Sequence, residues 1–138
     1  MFEIKTFIDR WVSHWNEPDP RTRAELVREL WADEAVNIVE TPEAIRDAAH
    51  AVGFPTPELR ATGYDELETR VAHAYESFVG TGEHTFRSQG NASRLENIVK
   101  SNWEMVSTAD GSVAAVGLDV FVLDDDDRIR VAYQFIER

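Results

Sequence analysis

Val113-Ala-Ala-Val-Gly-Leu-Asp-Val-Phe-Val-Leu123 is a β-branched, apolar run with a single carboxylate, Asp119, at its centre. Its length and composition predict a strand covered on both faces. A carboxylate inside such a strand must find donors, line a wet cavity, or raise its pKa and stay protonated. Asp119 is therefore the first candidate for chemistry.

Outward from this strand the C-terminal half keeps a period of two. His84–Gln89, Leu95–Ser107 and Arg128–Glu137 join it as four consecutive antiparallel strands, connected by Gly90-Asn-Ala-Ser93, Ala109-Asp-Gly111 and the run Asp124–Asp127. Before Gly80 the period is helical. Ile4, Phe7, Ile8, Trp11, Val12 and Trp15 form one stripe, and Asn16-Glu-Pro-Asp-Pro20 ends it, with Asp19 as N-cap and Pro20 at the first position of a second helix. Leu26, Val27, Leu30 and Trp31 form the stripe of that helix. Ala35–Glu40 reads as a short strand stopped by Thr41-Pro42, Glu43–Val52 as a short helix, and Gly53-Phe-Pro-Thr-Pro57 as a loop. A third long helix runs from about Tyr64 to Val79, with Leu67, Val71, Ala74 and Phe78 on one face. Helices followed by a meander, with one early strand, define an α+β fold in α-α-β-α-β-β-β-β order.

Composition narrows the class. A chain of 138 residues supports one core, so residues 1–138 read as a single domain. The apolar fraction of 43% and charged fraction of 29% are those of a globular protein. No apolar run approaches the ~20 residues that span a bilayer. Met-Phe-Glu-Ile-Lys5 has no signal-peptide character, and the absence of cysteine excludes thiol catalysis and disulfides, so a cytoplasmic setting is expected. A net charge of −12 argues against nucleic-acid or anionic-membrane partners. No pair of histidines has metal-ligand spacing, no glycine-rich phosphate loop occurs, and Asp124–Asp127 lacks the spacing of a calcium loop, so neither metal nor cofactor is expected.

The neighbours of Asp119 follow from strand register. A three-residue Ala-Asp-Gly connection puts Ser101 and Trp103 on its face; a two-residue one puts Asn102 and Glu104 there. The first is preferred, because Leu95, Val99, Trp103 and Met105 then form an apolar wall. If Asp125-Asp126 is the tight pair of the last turn, Ala132, Gln134 and Ile136 of the last strand share the face, and Gln134 is then placed to donate to the carboxyl. Phe121 lies on it too, and Asn37 and Val39 approach from the early strand. Trp11, Trp15 and Trp31 read as core first and ligand contacts second. His84 is the sheet's sole histidine and a weak candidate for a proton relay. His14, His50 and His73 read as surface residues. With Asp119 inward, Val116, Leu118, Val120 and Val122 form an apolar outer row of the kind that is usually covered.

Leu30-Trp-Ala-Asp-Glu-Ala-Val36 leading into a strand, and the hairpin Gly117-x-Asp-x-Phe-x-Leu-Asp-x-Asp-x-Arg-Ile129, resemble the nuclear-transport-factor-2-like (NTF2-like) superfamily over essentially the whole chain. Within it the sequence is most similar to SnoaL-like proteins and ketosteroid isomerase. The resemblance implies a cone: a curved, mostly antiparallel sheet wrapped around three N-terminal helices, with a pocket at the wide end and a homodimer packed sheet against sheet. It implies that Asp119 stands where the isomerase keeps a protonated oxyanion-hole aspartate. The isomerase's tyrosine falls on Trp11 and its catalytic base on Val39, so its full constellation is not expected. SnoaL-like cyclases use an aspartate at this strand position as acid and base. The usual turn glycine is replaced by Asp127, which tolerates a left-handed backbone.

Two readings result. One is a cofactor-independent enzyme of isomerase, cyclase or hydrolase type, acting on a small apolar or cyclic molecule through Asp119. The other is a non-catalytic ligand-binding or dimerisation module. Fold alone does not choose between them.

Overall fold

The helical stripe of Ile4–Asn16 forms helix α1 and buries Phe7, Ile8, Trp11, His14 and Trp15 against the sheet. In this computed structural model, residues 2–41, 43, 44, 47, 51 and 59–137 are described. The predicted helix Glu43–Val52 falls largely outside them, as do His50 and the loop at Gly53–Pro57. Helix α2, Pro20–Leu30, starts as expected: the Asp19 carboxylate accepts from the Arg21 amide at 3.2 Å and from the Thr22 hydroxyl at 2.9 Å. It ends one residue early. Trp31 is already extended and opens strand β1, Trp31–Val39, and the left-handed Glu34 (φ 59°) makes a bulge in that strand. Trp31 keeps its place in the core from the strand instead of the helix.

Strand β2, Leu59–Thr62, pairs antiparallel with β1 and has no counterpart in the sequence reading. Only Ala61 of its four residues is buried, so it carries little alternation to detect. Helix α3, Gly63–Ala74, widens into a π-helical turn at Tyr75–Val79, closed by the Gly80 amide donating to the Tyr75 carbonyl at 2.7 Å.

The remaining strands are β3 (His84–Ser88), β4 (Ser93–Leu95), β5 (Ile98–Ser107), β6 (Val113–Leu123) and β7 (Ile129–Glu137). The predicted strand Leu95–Ser107 is thus two, split at Glu96-Asn97, with Glu96 left-handed (φ 54°). Leu95 is 78% exposed, which removes it from the expected wall. Among the described residues the sheet has seven strands in the order β2-β1-β7-β6-β5-β3, with β4 added on β5. It is mixed, because β1 runs parallel to β7, and it does not close into a barrel. No helix among the described residues is long and apolar enough to cross a membrane.

Register around Asp119 is the one preferred from sequence, reached by a different route. Ser107 and Ser112 bracket a turn of four residues, not three, and a bulge between Met105 and Val106 restores the count, so Ser101 lies opposite Asp119 and Trp103 opposite Gly117. On the other side Asp119 faces Gln134, with Ala132 opposite Phe121 and Ile136 opposite Gly117. Asp127 adopts the left-handed backbone (φ 60°) of the last hairpin turn, and the Asp124 carboxylate accepts from the amides of Asp126 and Arg128 at 2.9 and 3.0 Å. The acidic run is a self-capped turn.

Candidate active site

Alternation along β6 sends Gly117, Asp119, Phe121 and Leu123 to the concave face, where all are buried, and Val116, Leu118, Val120 and Val122 to the convex one. Helices α1 and α3 lie over the concave face. Between them and the sheet a cavity of about 330 Å³ remains, bordered by Trp11 and Trp15 of α1, Arg70 and Phe78 of the α3 segment, Trp103 of β5 and Asp119 of β6. Val12, Val39, Ala74, Phe86, Met105, Ala115, Gln134 and Ile136 complete its lining among the described residues.

Two local devices shape this space. Gly117 is the first: a Cβ there would lie 2.3 Å from Cε2 and Cζ2 of the Trp103 indole, so only glycine lets that ring lie flat across β6. Asn16 is the second. Its amide nitrogen donates to the Phe86 carbonyl at 2.8 Å and its amide oxygen accepts from the Phe86 N–H at 2.9 Å, fastening the edge strand β3 to the end of α1. Phe86 then packs edge-on against Trp103 at 5.9 Å and Phe78 at 6.3 Å, making an aromatic wall.

Asp119 is only 2% exposed. The Trp11 indole N–H donates to its Oδ2 at 2.8 Å. Gln134 and Trp103 approach the same carboxyl with weaker geometry, so Asp119 Oδ1 and the Trp103 indole N–H are both buried without a normal hydrogen bond. Desolvation dominates and pushes the Asp119 pKa up to about 7; Trp11, Gln134, Trp103 and the Arg70 charge oppose it without prevailing. Near neutral pH the group is populated both as acid and as base. Because Trp11 occupies Oδ2, Oδ1 is the oxygen left for the proton or for a guest.

Gln134 is held in one orientation. Its Oε1 accepts from Asn37 Nδ2 at 3.1 Å and from Arg70 Nη2 at 3.3 Å, which turns its own N–H groups toward Asp119. Beneath Trp11 lies His14, fully buried and not on the surface as its flank position suggested. Its Nδ1–H donates to the Trp11 carbonyl and its Nε2 accepts from the Trp31 indole at 3.3 Å, a pairing that fits the neutral imidazole alone. Burial lowers its pKa to about 4, with Arg70 adding to the effect.

Of the residues singled out from sequence, Trp11, Trp15, Val39, Trp103 and Gln134 border the cavity with Asp119. Trp31, Asn37, Ser101 and Phe121 do not; they are buried behind it. Trp31 and Phe121 fill the packed core, Ser101 Oγ turns to the Asn102 carbonyl at 3.4 Å, and Asn37 braces Gln134. His84 is also displaced. It pairs with Ser107, six positions along β5 from the partner of Asp119, or about 20 Å at strand rise, and cannot relay its proton. Arg70 and the Phe78–Phe86 pair went unread. In sequence Glu66 and Arg70 have the spacing of a surface ion pair, but Glu66 accepts from the Thr62 amide at 2.8 Å and Arg70 turns inward.

The architecture has clear relatives among solved structures. A SnoaL-like family protein from Agrobacterium tumefaciens, described as a putative isomerase, superposes with a TM-score of 0.76 at 22% identity, covering 97% of each chain. An NTF2-like protein of unknown function from an Exiguobacterium species gives 0.60 at 18% identity over 95% of this chain and 98% of that one. The chain has the NTF2-like fold. A protein from Sinorhizobium meliloti described as a putative polyketide cyclase shares this fold, with a TM-score of 0.58 at 12% identity over 96% of this chain and 99% of that one. No family model matches the sequence, and no curated protein matches it significantly. At these identities the NTF2-like fold is what the comparison establishes, and activity has to be argued from the cavity.

Proposed function

We propose that the NTF2-like cone of this protein binds a compact apolar or cyclic molecule and that Asp119 exchanges a proton with it. The observation that carries this reading is one carboxyl, with a pKa near 7 and an unpaired oxygen, at the wall of an apolar cavity of about 330 Å³. The reaction class that suits a single such group is proton removal beside a carbonyl. Ionised Asp119 takes a proton from carbon, the electron pair moves onto the carbonyl oxygen, and the Trp103 N–H donates to that oxygen. The proton then returns to a different carbon, as in an isomerase, or the enolate carbon attacks a second carbonyl, as in a cyclase. That structurally similar proteins are described as a putative isomerase and a putative polyketide cyclase supports the same class.

One observation favours the non-catalytic alternative: Asp119 is the sole carboxylate on the cavity wall among the described residues, and Val39, the lining residue on which the isomerase's base falls by resemblance, is apolar. Solvent-deuterium exchange into a panel of small cyclic ketones and diketones, followed by NMR, separates the two. Asp119→Asn is expected to slow exchange by roughly 10²–10⁴-fold. Exchange at an equal rate in both proteins, or in neither, rejects catalysis by Asp119.

The same proposal includes a cytoplasmic location, supported by the lack of cysteine, and a second copy of the chain over the convex face. There Val116, Leu118, Val120 and Val122 are joined by Ile98, Tyr133 and Phe135, the last three at least 37% exposed. A contiguous apolar surface of this kind is usually an interface.

A further inference from the structure

Arg70 points a guanidinium into an apolar cavity that contains no anion committed to it. Among the described residues it has no carboxylate within ion-pair distance; it donates from Nη2 to Gln134 Oε1 at 3.3 Å and lies over the Trp15 ring, with its central carbon 5.1 Å from the ring centre. Burial lowers its pKa, and the Asp119 charge, felt across the cavity and not as a contact, opposes that effect. Asp119 itself is held near neutrality, so in its protonated state the cavity carries an uncompensated positive charge. His14, behind Trp11, is neutral and adds no anion. Glu66, one turn earlier on α3, is spent on the Thr62 amide. A half-buried cation whose side chain lines an apolar cavity with one long hydrogen bond is incompletely compensated unless something supplies the counter-charge.

The unpaired groups have the same bias. Arg70 has further N–H donors, and the Trp103 indole N–H is buried without a partner. Protonated Asp119 adds an O–H on the oxygen that Trp11 leaves vacant. The cavity wall therefore offers an excess of donors, and the matching guest is rich in acceptors. A guanidinium is also planar and forked, the shape that pairs with a carboxylate through two parallel hydrogen bonds.

Building on the function proposed above, we infer that the guest is a monoanion: a flat or cyclic apolar body carrying one carboxylate, held by Arg70 with its ring between Trp15 and the Trp103–Phe86 wall. Binding brings the missing negative charge to Arg70. Against the chain's net charge of −12, which repels anions at long range, Arg70 is the local element that reverses the sign.

The test uses 2-naphthoate and its neutral carboxamide as probes, with affinities read by titration calorimetry and by quenching of the tryptophans at the cavity. The wild-type protein is expected to bind the carboxylate at least tenfold more tightly. In Arg70→Gln that preference is expected to fall to within twofold while carboxamide binding persists, which also shows the variant to be folded. If Arg70→Gln does not fold, Arg70→Lys takes its place, and a shorter, unforked cation is expected to reduce the preference without abolishing carboxamide binding. Equal affinity for the two probes in the wild type, or a preference that survives removal of the guanidinium, overturns the assignment of Arg70 while leaving the pocket intact. Binding of neither probe overturns the pocket reading and this inference together.

Discussion

Trp11 and Asp119, 108 positions apart in the chain, are joined by an indole N–H donating to a carboxylate Oδ2 at 2.8 Å. This bond ties α1 to β6 at the floor of the cavity and assigns the two carboxyl oxygens different tasks. Trp11→Phe removes a donor that favours the ionised form, so the Asp119 titration midpoint is expected to rise above its value of about 7. The loss of a bond to a buried group is expected to cost about 1–3 kcal/mol in urea unfolding. Carboxyl ¹³C NMR of Asp119 follows the midpoint, and an unchanged or lower value contradicts the role given to Trp11.

Asp119 makes the protein less stable as the solution becomes more alkaline. Its folded pKa, about 7, lies above the ordinary 3.8, so its contribution is complete below pH 3.8 and is lost as pH rises through 7. A shift of about three units corresponds to on the order of 4 kcal/mol. Asp119→Asn is therefore expected to gain stability relative to wild type between pH 4 and pH 8, measured by denaturant unfolding at each pH. A difference that does not change with pH contradicts a raised pKa.

His14 acts in the opposite sense. Its folded pKa of about 4 is below the usual 6.5, so the unfolded chain binds the extra proton and stability grows as pH rises from 4 to 6.5. Over that window the two groups nearly cancel in the wild type. In Asp119→Asn the His14 slope stands alone, and stability is expected to fall by on the order of 3 kcal/mol on acidification from pH 6.5 to 4. His14→Gln is expected to show the reverse trend. Parallel pH profiles for both variants contradict the opposition.

Gly117→Ala puts a methyl group 2.3 Å from a ring that also packs edge-on against Phe86. Overpacking of this kind is expected to cost about 1–3 kcal/mol and to shift Trp103 into the cavity. The urea midpoint reports the first effect and weaker binding of the carboxamide probe the second. A variant with wild-type stability and binding shows that the indole relocates freely.

Leu118→Glu and Val120→Lys, on the convex face, are expected to convert a dimer into a monomer without altering the fold, as read by sedimentation velocity and circular dichroism. A monomeric wild type at the same concentration removes the proposed sheet-to-sheet contact.

Much of this molecule is legible locally. The stripe from Ile4 to Trp15 specifies α1, Asp19-Pro20 specifies the start of α2, and period-two runs specify β5, β6 and β7. Parity then carries Trp103 and Gln134 to the face of Asp119, because side chains alternate strictly along a strand. Strands β2 and β4 are not legible, since four and three mostly exposed residues hold no pattern until a neighbour pairs with them. The same limit applies to the site. A periodicity argument assigns a face, and so it made Asp119 anomalous; it placed His14 on a helix flank, where either direction is open, and it said nothing of Arg70. Only the packed structure shows His14 beneath Trp11 and Arg70 turned into the cavity, because burial and charge environment are set by residues distant in the chain. The sequence by itself determined the long elements and the strand that bears the carboxyl, both products of local periodicity. Tertiary packing decided the rest: which groups desolvate that carboxyl, which donors reach it, and which cation shares its cavity.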